Sequence, residues 1–191
     1  MHTVKLKQVE GFTDEMFYEF CQLNDDLKFE RDKHGTIYVM EPTGSESGNF
    51  NADFIIDVGN WNRKSRMGYV FDSSAGFTLP NTAVRSPDIS WISKERWEAL
   101  PTEAKKKFAP ICPDFIIEIR SESDSLSELK NKMEEYMENG CHLGWLIDRT
   151  GQKVFIYRQG KPVEMTYSLD VVLSGEDVLP GFELNLKTLG S

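Results

Sequence analysis

Apolar positions change their period along this chain, and each change marks an element. Phe12, Met16, Phe17, Phe20 and Leu23 recur at helical spacing around a Thr13 cap, which predicts a helix over 13–23 with those side chains on its core stripe. Two short extended runs follow at 27–31 and 36–40, joined by Asp32-Lys33-His34-Gly35, whose composition suits a hairpin. Pro42 to Gly48 reads as a loop feeding a helix to about Trp61, with Phe50, Phe54, Ile55, Val58 and Trp61 on one face. The runs 68–72 and 76–79 read as strands paired with each other around Ser73-Ser74-Ala75. A strand follows Ser86-Pro87-Asp88 as far as Ile92, and 94–100 reads as a short helix.

The second half is more regular. Phe115 to Arg120 is nearly continuous in apolar residues, as a central strand covered on both faces would be. Ser123 or Asp124 is expected to cap a long helix running to Asn139, with Gly140 as its stop. Strands are predicted at 143–147, 154–158 and 163–167, and Leu179-Pro180-Gly181 precedes a last extended piece at 182–186. Strand, helix and strand across 115–147 form a βαβ crossover. The whole predicts a mixed α/β fold, a central mixed sheet flanked by helices with an N-terminal helix and hairpin. No repeat, low-complexity tract or Gly/Ser linker interrupts the sequence, which reads as one domain over residues 1–191.

Composition narrows the classes. At 39% hydrophobic and 28% charged residues, the chain can bury a core and is not built for disorder. No run approaches a membrane span, and Met1-His2-Thr3-Val4-Lys5 lacks the pattern of a secretory leader. Cys21, Cys112 and Cys141 are odd in number and far apart, which argues against a disulfide framework and for a reduced, cytoplasmic setting. His2, His34 and His142 share no zinc-site spacing, and no nucleophile elbow supports Ser-His-Asp chemistry. A formal charge of −9 counts against a general nucleic-acid-coating protein, because counterion release rewards basic surfaces. It leaves room for a nuclease, whose metal-binding carboxylates add to the negative count.

Two acidic residues stand where apolar ones belong. Glu118 interrupts the central strand, and an ionised carboxylate is almost never buried without a partner. Alternation puts Glu118 and Arg120 on one side of that strand, with Ile117 and Ile119 on the other. An ion pair with Arg85 or Arg120 would account for Glu118 alone. Asp88 follows a proline at a strand start, where a turn aspartate is the ordinary reading. Taken together, two carboxylates on neighbouring strands converge on one point, an arrangement that suits Mg²⁺ or Mn²⁺. On the long helix, Leu126, Leu129, Met133 and Tyr136 form the core stripe. Lys132 lies about 80° from its centre and Lys130 at a similar angle on the other flank, so helix geometry leaves both open; either could instead be a solvated lysine, as in a Glu128–Lys132 pair.

Pro87-Asp88 followed by Glu118-Ile119-Arg120 resembles the PD-(D/E)XK nuclease pattern. The chain more specifically resembles the Uma-two family of putative restriction endonucleases. The matching stretches include Pro42-Thr43-Gly44, Gly76 to Asn81, Arg85 to Asp88, Pro113 to Leu126, Lys132 to Tyr136, Leu143 to Asp148 and Leu179 to Phe182, in order along nearly the whole chain.

The resemblance implies a restriction-endonuclease-like core with a Mg²⁺ or Mn²⁺ site on the strand carrying Glu118. Asp88, Glu118 and the Ile119 carbonyl are the implied metal ligands, with Glu30 joining the acidic cluster. The sequence departs from the superfamily at the E-x-K lysine, where Arg120 stands; arginine stays protonated, so it can hold a phosphate but cannot act as a base. The resemblance makes Lys132 the replacement lysine. Asp88, Glu118, Lys132 and Arg120 are then the expected catalytic residues of an endonuclease hydrolysing phosphodiester bonds, with DNA as substrate and a homodimer allowed. Arg63 to Arg66 and Lys105 to Lys107 are candidate phosphate contacts, although such charge runs are more often solvated faces. The competing reading is a non-catalytic binding or regulatory module on the same fold.

Overall fold

The computed structural model describes residues 2–4, 12–40 and 42–189; Met1 and Lys5, in the segment read for a leader, lie outside them. In chain order the elements are β1 (His2–Val4), α1 (Asp14–Leu23), β2 (Lys28–Arg31), β3 (Ile37–Met40), α2 (Ser45–Ser65), β4 (Gly68–Asp72), β5 (Phe77–Thr78), β6 (Val84–Arg85), β7 (Ile89–Ser93), α3 (Lys94–Glu98), β8 (Phe115–Arg120), α4 (Leu126–Glu138), β9 (Leu143–Asp148), β10 (Lys153–Arg158), β11 (Glu164–Thr166), β12 (Val172–Ser174) and β13 (Glu183–Asn185).

The apolar run at β8 becomes the inside of the larger sheet. Among the described residues that sheet has the order β11-β10-β9-β8-β7-β4. Strand β8 pairs in parallel with β9 from Phe115↔Leu143 to Arg120↔Asp148, and antiparallel with β7. The parallel pair requires a crossover, and α4 supplies it. A smaller sheet runs β1-β3-β2-β6-β5, and β12 pairs with β13.

Alternation along β8 divides the core. Phe115, Ile117 and Ile119 point to one face, where they pack with Phe54 and Val58 of α2, Trp145 of β9 and Leu184 of β13. Ile116 points to the other face, with Leu129, Met133 and Tyr136 of α4. Glu118 shares that second face by the period of two. A third cluster, Phe17, Phe29, Ile37 and Val84, fixes α1 and the hairpin of β2 and β3 to the smaller sheet.

Several local expectations are corrected. Strand β4 pairs with β7 over five positions, Gly68↔Ser93 to Asp72↔Ile89, whereas β5 is two residues long and joins β6 in the other sheet. The predicted hairpin of 68–72 with 76–79 is therefore absent, because the longer ladder claims β4. The cap of α4 is Ser125, whose side chain accepts from the Glu128 amide. Asp124 instead closes the preceding turn by accepting from the Ser121 amide and hydroxyl. Helix α2 begins at Ser45 and runs to Ser65, past Trp61, with Glu46 in its first turn and Arg63 and Lys64 in its last, signs that favour the helix dipole. On α1, Phe17 is buried but Met16 and Leu23 are exposed, so the stripe is narrower than its spacing suggested. Strand β12 has no counterpart among the predicted elements; of its three residues only Leu173 is buried.

Gly68 permits the close β4–β7 contact. A Cβ there would come 2.2 Å from the Ile92 carbonyl oxygen and 2.5 Å from the Trp91 ring. The obstruction is backbone, which cannot swing aside. Gly68→Ala is expected to destabilise the fold by about 3 kcal/mol, in the upper range for overpacking, read as a lowered urea midpoint with an unchanged m-value.

Candidate active site

The site forms where β7 begins and β8 ends. Ile89 pairs with Ile117, so the antiparallel register would set Pro87 opposite Ile119. Proline has no N–H to offer the Ile119 carbonyl. Asp88 fills part of the gap with its side chain, its Oδ2 accepting from the Ile119 amide at 2.8 Å. In a strand, a residue's N–H and C=O point to the same neighbour, so the Ile119 carbonyl also faces the Asp88 side.

Helix α4 closes the site from above the sheet. The Lys132 Nζ lies 2.8 Å from Glu118 Oε1 and 2.9 Å from Glu30 Oε1. One turn later, the Tyr136 hydroxyl donates to the same Glu118 oxygen at 3.1 Å. Lys130 sits on the opposite flank with its Nζ 4.3 Å from the Phe155 ring centre. The choice that helix geometry left open is thus made by the tertiary fold: Lys132 is the lysine at the carboxylates, and no Glu128–Lys132 pair takes it away.

Glu30 comes from β2 in the smaller sheet. Its Oε1 also accepts from the Ser86 amide at 2.9 Å, and its Oε2 from Arg85 Nη1 at 3.2 Å. Arg85 in turn donates from Nε to Glu135 Oε2 at 2.7 Å, and Glu135 Oε1 accepts from Asn81 Nδ2 at 3.0 Å. Both oxygens of Glu30 are therefore engaged. Arg120 stands apart, donating to Asp148 Oδ1 at 2.9 Å and to the Asp124 carbonyl at 3.1 Å. The expected Glu118 pair with Arg85 or Arg120 is replaced by one with Lys132, since Arg85 and Arg120 are held by other acids. Of the residues picked from the sequence, Glu30, Asp88, Glu118, Ile119 and Lys132 come together, and Arg120 does not join them.

Tyr136 and Glu135 are further residues of the site. Tyr136 belongs to the core stripe and is fully buried, but its hydroxyl ends on Glu118. Its spacing of four from Lys132 was the available signal, because such residues stack on one helix face. Asn51 of α2 lies with its Nδ2 3.4 Å from Asp88, and its Oδ1 is buried without a partner.

Charge at the site is out of balance. Glu30, Asp88, Glu118 and Glu135 face two cations, Arg85 and Lys132. Burial pushes the Glu118 carboxyl up to about 8; Lys132 opposes the rise, while Asp88 and Glu30 add to it. Burial also raises Asp88, against the Ile119 amide and Lys132. Burial works the same way on Glu30, but Lys132 and Arg85 outweigh it and hold that carboxyl low. Lys132 is held well above its ordinary value: Glu118 and Glu30 overcome the cost of burying it. Burial and the neighbouring acids thus favour the protonated form of Glu118, while Lys132 favours the charged one.

Among the described residues no three His, Cys, Asp or Glu side chains form a ready metal cage. The donors left over still suit a hard cation. Asp88 and Glu118 are carboxylates crowded with Glu30, the Ile119 carbonyl lies on the Asp88 side, and the orphaned Asn51 oxygen would be satisfied by a bound water. Mg²⁺ characteristically takes one or two carboxylates and keeps waters rather than entering an all-protein cage.

A family model described as "Putative restriction endonuclease" matches residues 14–187. A solved structure described as a putative nuclease belonging to DUF820, from Anabaena variabilis, matches with a TM-score of 0.69 and 24% sequence identity. That match covers 84% of this chain and 88% of the other. No curated protein matches the chain.

The upward shift of Glu118 gives a pH prediction. A carboxyl raised from its ordinary 4.5 to about 8 contributes stability that is full below 4.5 and lost as pH rises through 8. With chelator present, Glu118→Gln should therefore melt progressively higher than wild type from pH 5 to pH 8.5. A variant that melts lower at pH 8 would make Glu118 an ordinary ion-pair partner of Lys132.

Proposed function

Since the chain belongs to the Uma2 family, whose description is "Putative restriction endonuclease", we propose that it is a divalent-metal-dependent endonuclease hydrolysing phosphodiester bonds of DNA. The observation that carries the reading is the meeting of Asp88, Glu118 and Lys132 at the Ile119 end of the central strand, with Lys132 Nζ 2.8 Å from Glu118.

Asp88, Glu118 and the Ile119 carbonyl would hold Mg²⁺ or Mn²⁺. When bound, such an ion lowers the pKa of a water and polarises the scissile phosphate. Glu30 belongs to the acidic cluster, and with both oxygens engaged it serves chiefly to anchor Lys132. Lys132 stays protonated beside two carboxylates, so it acts as a donor, orienting the attacking water or meeting charge on a phosphate oxygen. Tyr136 fixes the Glu118 carboxylate in one orientation. We assign Arg120, two residues past Glu118 on β8, to a non-bridging phosphate oxygen; its hydrogen bond to Asp148 would keep the guanidinium in place.

The reading as a non-catalytic module draws on one observation, the Lys132 ammonium lying between Glu30 and Glu118. Plasmid nicking separates the two. Wild type should nick supercoiled DNA only with Mg²⁺ or Mn²⁺, and Asp88→Ala, Glu118→Gln and Lys132→Met should each lose about 100-fold or more. Equal nicking by Asp88→Ala, or none by wild type with either metal, would sink the endonuclease reading.

A further inference from the structure

A cleft of about 280 Å³ opens at the β5 edge of the smaller sheet, away from the carboxylates. Its inner wall includes Gly76 and Phe77. Phe77 pairs in register with Arg85, the residue that holds Glu30, so the cleft begins one strand from the candidate active site. Phe108 lies across the turn at Gly76, where a Cβ would come 2.4 Å from its Cδ1. The wall thus needs a glycine to exist in this form.

The chemistry of the lining is unlike the rest of this acidic chain. Lys105, Lys106 and Lys107 all line the cleft, and no carboxylate does. Lys106 pairs with Glu103 at 2.7 Å and Lys107 with Glu15, but these four side chains are 43–81% exposed. Ion pairs so exposed are worth little and exchange readily for a better anion. Lys105 Nζ stands 5.6 Å from the centre of the Trp97 ring, and Lys107 Nζ 5.6 Å from that of Tyr18. Trp97 is only half-buried and tilts against Phe71 at 4.8 Å. Rings beside the Lys105 and Lys107 ammonium groups, with Lys106 on the same lining, offer stacking and phosphate neutralisation together. An acidic peptide would make no use of the rings, and an apolar ligand none of the charges.

We propose that this cleft binds a nucleotide, its base against Trp97 and its phosphate on Lys105, Lys106 and Lys107. Base stacking on an aromatic ring with lysines tracking the backbone is the general chemistry of single-strand binding. The source is a nucleotide of the substrate strand, an assignment that rests on the endonuclease reading above. A free nucleotide shares the chemistry and is distinguished by the test.

The test is binding in chelator, so that nothing is cut, with a fluorescently labelled 12-nucleotide single strand and with AMP as probes. Lys105→Ala/Lys106→Ala/Lys107→Ala, a surface variant, should weaken strand affinity about tenfold or more and flatten the salt dependence of log K by about 2. Trp97→Ala should weaken it about tenfold and leave the salt slope unchanged. Wild-type affinity and slope in the triple variant would overturn the proposal, and so would failure of wild type to bind both probes. AMP binding without strand binding would assign the cleft to a free nucleotide and overturn the strand assignment. Strand binding by a protein that nicks no DNA would uphold the cleft and sink only the endonuclease reading. With cleavage present, the triple variant should raise KM and leave kcat unchanged, whereas Asp88→Ala should abolish nicking and leave strand binding as in wild type.

Discussion

A carboxylate cannot sit inside a sheet by itself, and Glu118 sits inside this one. Its desolvation costs several kcal/mol unless partners arrive. The partners come from α4, Lys132 and Tyr136, one turn apart. That requirement sets the rotation of the crossover helix, since turning it by one residue would move both groups by 100°. Lys132 also reaches Glu30, and Arg85 joins Glu30 to Glu135 of the same helix. The smaller sheet is thereby held to the larger one through charge as well as through apolar packing. Cutting any member leaves another buried charge exposed to its own desolvation, which is why the group holds together as a unit.

Much of this was legible from residue order. The alternation of β8, the crossover and the acid at 118 follow from local pattern, because burial on both faces leaves a strong trace in a strand; Asp88 reads locally as a turn aspartate and stands out only beside Glu118. Strand partners were less legible. The sequence around 68–79 has good hairpin chemistry, yet β4 goes to β7, since pairing depends on the total length of ladder gained and not on the turn alone. The choice between Lys130 and Lys132 was also beyond local pattern. Both flank the apolar stripe, and only the arrival of β2 from about a hundred residues earlier gives Lys132 a second carboxylate. Tyr136 shows the same limit in another form: an aromatic at a core position looks apolar in sequence, and its hydroxyl becomes informative only when something polar lies at its end.

Arg120 stands two residues past Glu118 on β8 and has its own partners. In the strand, Arg120 is tied to Asp148 of β9, the parallel neighbour, and to the Asp124 carbonyl at the entrance to α4. It braces the turn that leads into the helix bearing Lys132. Lys132, between Glu30 and Glu118, and Arg120, on Asp148, thus answer to different acids.

The Pro87 interruption has an effect on the backbone itself. At the end of β8 the Ile119 amide proton is held by a side chain, the Asp88 carboxylate, in place of a strand neighbour. Its exchange with solvent thus follows the ionisation and placement of one acid, while amides deeper in the same strand follow the opening of the sheet. A single backbone hydrogen in the centre of the molecule carries a direct record of the state of the site beside it.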